Sequence, residues 1–176
     1  DRNVSLVKTQ NILGGSVDNY NNTVHKISFD LPYRWAVNEK GTGDYLKLAI
    51  EPTSMEHNVQ AQIEASGFTP QILVRSEERN IDPNSKYFSI QGGEDPKVSS
   101  HYVFENEDGM FADIVVSTQD LQLETETATF KLLQLHFTNS ESRYSIIYIN
   151  TQEWFRYEVN AFDAVVRSFE IMIDGK

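Results

Sequence analysis

The residues best suited to chemistry in this sequence are its histidines, which number four: His25, His57, His101 and His136. They are scattered along the chain with no close pair. His57 follows Glu56, but no second histidine stands at the spacing of a zinc-protease helix. The serine elbow, the phosphate loop and the dinucleotide fingerprint are missing from the sequence as well. We interpret the histidines as ordinary strand or surface residues and expect that the protein is not an enzyme.

A dense acidic cluster offers the hard oxygen ligands that calcium prefers. Its members are Glu105, Glu107, Asp108 and Asp113. The cluster fails the EF-hand pattern, because with Gly109 at the glycine position the first ligand falls on Phe104 and the last on Val115. A solvated hairpin tip is the simpler interpretation. We expect neither a metal nor a cofactor, and the four carboxylates are weak candidates only.

Four aromatic residues are the candidates for binding: Tyr33, Trp35, Trp154 and Tyr157. Trp35 directly follows a predicted strand and Trp154 begins a predicted helix, so both lie near the ends of elements. Aromatic side chains at such positions line ligand grooves or anchor protein interfaces. The alternative is that they close the ends of the hydrophobic core. If a partner exists, we expect Trp35 or Trp154 in or beside the contact surface.

Charge and composition restrict the class of partner. The chain has 15 Lys and Arg against 26 Asp and Glu, a net charge of −11. No basic run is present to neutralise phosphates, so nucleic acid and anionic membrane surfaces are poor partners. No stretch approaches the length of about 20 apolar residues that spans a bilayer. The sequence contains no cysteine, which excludes thiol nucleophiles, zinc–thiolate sites and disulfides. We expect a monomer that binds a protein or a small ligand.

A length of 176 residues fits one domain with its own core. The chain begins at Asp1 without an initiator methionine, which favours a processed product with a signal peptide or a lipidated cysteine upstream. We therefore expect a location outside the cytoplasm, at a membrane anchor, in the periplasm or on the cell surface. Residues 1–20 are polar and weakly periodic, and we interpret them as a tether or a loosely docked segment. Residues 21–176 are expected to form a single α+β domain.

Short apolar runs separated by turn residues predict a mainly antiparallel sheet. One hairpin is expected where Asp108-Gly109 separates two strands, and another where Asn139 to Ser142 does so. A run from Thr23 ends as a strand at Pro32, where the N–H needed for pairing is missing. The predicted strands are 23–30, 45–50, 71–75, 87–90, 101–105, 110–116, 128–138 and 143–150.

Two helices are predicted. The first covers about Ser54 to Ser66, because a capping-box spacing stands at its start and Gly67 follows its end. The alternation of apolar residues from Val59 to Ala65 suits a strand equally well. The second follows Asn150, which has capping-box spacing to Glu153. It carries an apolar stripe at helical spacing: Phe155, Val159, Phe162, Val166 and Phe169. That stripe must pack on the sheet, which gives an α+β layered domain.

Two segments resemble a known family. Ile27 to Trp35 is a strand followed by the motif P-x-x-W, at Pro32 and Trp35, and resembles the start of PsbP-like and DcrB-like domains. The tyrosine-rich strand Tyr144 to Tyr148 and the final helix are similar to the closing part of these domains. The motif residues of that helix are Phe162, Val165, Val166, Ser168 and Phe169. No motif of the family occurs between Phe68 and Gln122.

The resemblance implies an antiparallel sheet flanked by helices, the α/β/α sandwich of the PsbP-like domains. It also implies a non-enzymatic accessory or binding protein, often an exported bacterial lipoprotein. No binding residue is carried over by it. One alternative is a hydrolase built around His101 or His136 with nearby carboxylates, for which a histidine beside Ser or Asp in a deep pocket would be evidence. The other is a carrier of a small apolar ligand, which requires a cavity between helix and sheet.

Overall fold

The computed structural model describes residues 4–10, 16–40, 43–53, 57–79, 87–105 and 111–172. The elements of this part of the chain are, in order, β1 (Val4–Gln10), β2 (Ser16–Asn22), β3 (Ile27–Asp30), β4 (Trp35–Glu39), β5 (Lys47–Pro52), α1 (His57–Ser66), β6 (Gln71–Glu78), β7 (Lys97–Glu105), β8 (Phe111–Gln122), β9 (Thr127–Thr138), β10 (Ser142–Thr151), α2 (Phe155–Ser168) and β11 (Glu170–Ile171). Both described helices are too short or too polar to span a bilayer.

Seven strands form the main sheet in the order β4-β5-β6-β10-β9-β8-β7, with every neighbouring pair antiparallel. Strand β10 lies in the middle and is buried on both faces. This explains its almost continuous apolar run, since a strand covered on both sides has no solvent face to fill with polar residues. Side chains alternate between the two faces along each of the other strands.

One face of the main sheet, which we call the helix face, packs against α2. Phe162 and Val165 of α2 are buried in the core together with Ile146 and Tyr148 of β10. The ring of Tyr148 lies 4.7 Å from that of Phe155. The predicted apolar stripe of the last helix is therefore its core face. The predicted α+β architecture, a mainly antiparallel sheet with a C-terminal helix packed on it, is confirmed.

A second, four-stranded sheet in the order β1-β2-β3-β11 closes the core beside α2. Tyr20 of β2 and Phe29 of β3 are buried, with ring centroids 5.1 Å apart. The boundary predicted at residue 20 falls inside β2. The strand predicted from Thr23 was wrong at its start. Residues 23–26 form a turn in which Lys26 has a positive φ of 57°, and the strand begins only at Ile27.

The opposite face of the main sheet is covered near its β8 and β9 strands by the segment 87–93. Residues 87–90 were predicted as a strand, and this was wrong. Their backbone bonds to side chains and not to a neighbouring strand: Gln134 binds the N–H and C=O of Phe88, and Gln119 binds those of Ile90. Gly93 lies so close to Gln119 that a Cβ at this position would be 2.5 Å from its Nε2 atom.

The first predicted helix is confirmed over His57–Ser66, while residues 54–56 lie outside the described part of the chain. It ends as expected, because Gly67 has φ of +74° and its N–H bonds to the carbonyl of Ile63. Of its apolar residues, Val59 is buried whereas Ile63 is exposed. Gln62 is buried instead and donates a 2.6 Å hydrogen bond to Asn150 of β10.

The hairpins predicted around Asp108-Gly109 and Asn139–Ser142 are confirmed by the antiparallel pairs β7–β8 and β9–β10. The capping box predicted for the last helix was wrong. Trp154 is the N-cap residue and makes no side-chain capping bond. Asn150 instead stays in β10, where its amide donates to the hydroxyl of Tyr148 and to the carbonyl of Trp154.

Candidate functional site

The four aromatic candidates form two separate pairs. Tyr33 is 58% exposed under the guanidinium of Arg34, whereas Trp35, at 7% exposed, belongs to the core. Both line a groove of about 810 Å³ between the end of β3 and α2, whose other wall includes Asn160 and Arg167. We call it the helix groove.

The second pair lies at the start of α2. The rings of Trp154 and Tyr157 are 5.3 Å apart, and Arg156 donates a 2.9 Å hydrogen bond to the Tyr157 hydroxyl. Tyr157 is exposed, while Trp154 is half-buried. The indole Nε1 of Trp154 is buried and has no hydrogen-bond partner among the described residues. Tyr33 and Tyr157 are thus the exposed candidates, and a role in binding stays a prediction for all four.

A different groove gathers apolar side chains that reach solvent. It has a volume of about 920 Å³ and lies on the helix face of the sheet, at the end where β9 turns into β10. Val24, Tyr45 and Phe104, each between 41% and 55% exposed, come to it from three parts of the chain. We call it the end groove. Its lining residues are Val24, His25, Lys26, Asp44, Tyr45, Ser76, Phe104, Ala112, Phe137, Thr138, Asn139, Ser140, Glu141, Ser142, Tyr144, Ile171 and Met172.

Two tight turns and one long-range backbone hydrogen bond fix the walls of the end groove. The His25 N–H bonds to the side chain of Asn22 at 2.9 Å and holds the 23–26 turn. The side chain of Asn139 accepts bonds from the N–H groups of Glu141 and Ser142 and holds the β9–β10 turn. On the C-terminal side, the N–H of Met172 bonds to the carbonyl of Lys26 at 2.7 Å. The groove is therefore built on short, hydrogen-bonded connections.

The floor and rim of the groove differ in character. Phe137 and Tyr144 stack in the floor with ring centroids 5.5 Å apart, and burial raises the pKa of Tyr144 above its ordinary value. At the rim, partial desolvation and then the carboxylate of Glu78 raise the pKa of Tyr45. Lys26, Asp44 and Glu141 add charges of both signs at the rim, and His25 lies beside them. An apolar floor with a mixed-charge rim is the pattern of a protein-binding surface.

His101 contacts a carboxylate, as the alternative enzyme hypothesis requires. Its Nε2 lies 3.1 Å from the Asp113 carboxylate and 2.9 Å from the Tyr87 hydroxyl. The contact to Asp113 favours a proton on Nε2, in which case the tyrosine oxygen accepts. All three residues lie on the face opposite the end groove, on and above strands β7 and β8. The imidazole is exposed at the surface and lies in neither groove.

His136 lies beside a serine but is sealed from solvent. Ser145 Oγ is 2.7 Å from Nδ1, and Gln134 Oε1 is 2.7 Å from Nε2. Because Gln134 Oε1 only accepts, Nε2 carries the proton and Ser145 donates to Nδ1. Both His136 and Ser145 are buried, so substrate has no access to this pair. The pair satisfies polar groups in the core.

The structure adds no support to a calcium site. Among the described residues, no group of three or more His, Asp or Glu side chains is arranged to hold a metal. Asp113 is engaged with His101. Glu107 and Asp108 lie outside the described residues, as does the side chain of Glu105.

Sequence reasoning missed the end groove. Its residues are far apart in the chain and were assigned to turns and ordinary strands. One signal was available in β7, whose run Tyr102-Val103-Phe104 is apolar on successive residues and hence on both faces. A strand at the edge of a sheet does not need apolar residues on both faces in order to pack on the hydrophobic core.

Comparison with known proteins informs the fold. Neither a protein-family model nor a curated protein matches this chain. A solved structure does: the solution structure of cyanobacterial PsbP, CyanoP, from Synechocystis sp. PCC 6803. The match has a TM-score of 0.57 and 12% sequence identity, and covers 93% of this chain and 97% of that one. The domain therefore has a PsbP-like fold, as the two terminal motifs predicted.

Proposed function

We propose that this chain is a non-enzymatic binding domain whose protein partner docks in the end groove. The observation that carries the proposal is the convergence of Val24, Tyr45 and Phe104, three exposed apolar side chains, on one groove. Solvent-exposed apolar residues that cluster in this way mark interaction sites, whereas single ones need no explanation. The PsbP-like fold is consistent with a domain that binds and does not catalyse, and so is the position of His101 and His136 outside both described grooves.

The partner we propose is a polypeptide with apolar side chains flanked by charged ones. Phe104, Phe137 and Tyr144 supply a floor of aromatic rings for the apolar side chains. The rim has a cationic group at Lys26 and anionic groups at Asp44 and Glu141, which suits a partner with charges of both signs. The small-ligand carrier is less well supported, because Tyr148 and Phe162 fill the space between α2 and the sheet.

We also propose that the domain works outside the cytoplasm as part of a bacterial lipoprotein. The support is the resemblance of its terminal motifs to exported PsbP-like and DcrB-like domains, together with the fold. Fractionation of source cells tests this, combined with labelling of the full-length precursor by radioactive palmitate. We expect label on the protein in the membrane fraction. Recovery of the protein without label in the cytoplasmic fraction would contradict the proposed location.

Site-specific photo-crosslinking tests the binding proposal. A benzoylphenylalanine side chain at Val24 or Tyr45, in source cells, is expected to give the same crosslinked partner. The matched control is Ile63, which is 43% exposed on α1 and does not line the groove. With the purified partner, Tyr45→Ala should weaken binding at least about tenfold, as at an aromatic hot spot. Equal crosslinking from Ile63, or unchanged affinity of Tyr45→Ala, would contradict the proposal.

A further inference from the structure

Strand β7 forms one end of the main sheet, and no described strand pairs with its outer edge. It is nine residues long, and its side chains from Lys97 to Phe104 are exposed or half-buried. Tyr102, Val103 and Phe104 are each between 55% and 60% exposed. An exposed, apolar edge strand is a template for pairing with another chain, and natural proteins normally protect it.

The protection of this edge is confined to its first part. Lys97 begins the strand, and a β-bulge interrupts the pairing with β8 between Val98 and Ser100. Both are known devices against edge pairing. From Ser100 to Glu105 the pairing with β8 is regular, with residues 100–105 opposite residues 116–111. The unprotected stretch is therefore the apolar one.

We propose that a second copy of this chain covers the edge, with the two β7 strands antiparallel about a two-fold axis at Val103. In this register Tyr102 of each copy lies opposite Phe104 of the other on the helix face. On the other face, Val103 lies opposite itself. Pairs of aromatic side chains are a favourable combination across antiparallel strands.

The complementarity favours this register. Residues directly opposite one another must point to the same face, so the axis must pass through a residue of the strand. Moving it to Tyr102 leaves one aromatic pair, Tyr102 opposite itself, and places Ser100 opposite Phe104 and His101 opposite Val103. The axis at Val103 gives two aromatic pairs and leaves the bulge outside the paired stretch.

The dimer is expected to be weak. Five paired residues per copy are far fewer than the roughly 20–30 of a standard interface. Each copy also has a net charge of −11, and this repulsion is screened by salt. Association should therefore increase with protein concentration and with ionic strength.

Sedimentation equilibrium of the whole chain tests the proposal. The wild type should change from 20.2 kDa towards twice that mass as concentration rises. Val103→Lys places two lysines opposite each other and should raise the dimer dissociation constant at least about fivefold, and Val103→Glu should do the same. An equimolar mixture of the two variants should restore association, because Lys then lies opposite Glu.

Val98→Lys is the matched control, since Val98 is equally exposed on the same strand but lies beyond the bulge. It should associate like the wild type. Thermal melts verify that all variants fold. A wild type that stays monomeric up to its solubility limit overturns the proposal, as does a mixture that fails to recombine. Val103 does not line the end groove, so its variants leave the side chains of that groove unchanged, although Phe104 belongs to both surfaces.

Discussion

The side chain of Gln134 holds the backbone of Phe88 through two hydrogen bonds. Phe88 N–H donates to Oε1 at 2.9 Å, and Nε2 donates to the Phe88 carbonyl at 2.7 Å. Gln134 is buried in β9, 46 residues away in sequence. Its Oε1 also accepts the Nε2 proton of His136. One amide therefore satisfies three polar groups, one of them fully buried, and holds the segment that covers part of this face of the sheet.

Replacing Gln134 should destabilise the protein strongly. Gln134→Leu keeps a side chain of similar size but leaves the Phe88 N–H and carbonyl without partners, at a cost of about 1–3 kcal/mol for each group left unpaired. The control Gln60→Leu changes an exposed glutamine on α1 and should cost no more than about 0.5 kcal/mol. Urea melts measure both losses. Equal midpoints would mean that the 87–93 segment is not held by Gln134.

This contact also shows why part of the fold could not be predicted. Residues 87–90 have the composition of a strand, and no local signal indicates that glutamines on β8 and β9 will bind their backbone. Periodicity did predict α2 and the central hairpin, because there the spacing of apolar residues directly reflects a buried face. The prediction for Asn150 failed for a similar reason. Its spacing to Glu153 suggested a helix cap, but its side chain bonds to Gln62 and Tyr148 instead, which that spacing does not indicate.

The candidate site was less predictable than the fold. The aromatic candidates were selected because Trp35 and Trp154 lie near element ends, but the exposed members of the set are Tyr33 and Tyr157. The end groove, in contrast, depends on the turn at 23–26, which was assigned to a strand. With that turn misplaced, the convergence of Val24 with Tyr45 and Phe104 could not be seen from the sequence.

The last helix is expected to be a structural element. Phe162 is buried against the sheet, so Phe162→Ala should cost about 3–5 kcal/mol. Asp163 is exposed and pairs with Arg167, one helical turn further along, at 2.8 Å. Such a pair contributes only about 0.3–0.5 kcal/mol, so Asp163→Ala is a near-neutral control. Urea melts of the two variants check the order, and near-equal midpoints would show that α2 is not packed as described.

Metal removal should leave the fold unchanged. The carboxylate of Asp113, one of four weak calcium candidates, bonds to His101. EDTA is therefore expected to leave the thermal midpoint where it is. A ligand that binds only the folded state would raise this midpoint. A rise of several degrees on adding calcium would reinstate Glu105, Glu107, Asp108 and Asp113 as ligands.

Alkaline pH should destabilise the protein through Tyr148. This residue is fully buried, its hydroxyl donates to the Phe155 carbonyl at 2.6 Å, and it accepts from the Asn150 amide at 2.9 Å. Burial raises its pKa well above the ordinary value of 10.0. Below about pH 10 the phenol is protonated in both the folded and the unfolded chain, so its ionisation does not affect stability.

Above about pH 10 the unfolded chain loses this proton while the folded chain keeps it, so the free energy of unfolding falls by about 1.4 kcal/mol per pH unit. Tyr144, whose pKa burial also raises, adds to the fall. Tyr148→Phe should lower stability at neutral pH, because Asn150 and the Phe155 carbonyl lose a partner, and it should flatten the alkaline slope. Urea melts between about pH 8 and 11 measure these slopes, and a wild-type slope in Tyr148→Phe would show that its phenol is not the group that titrates.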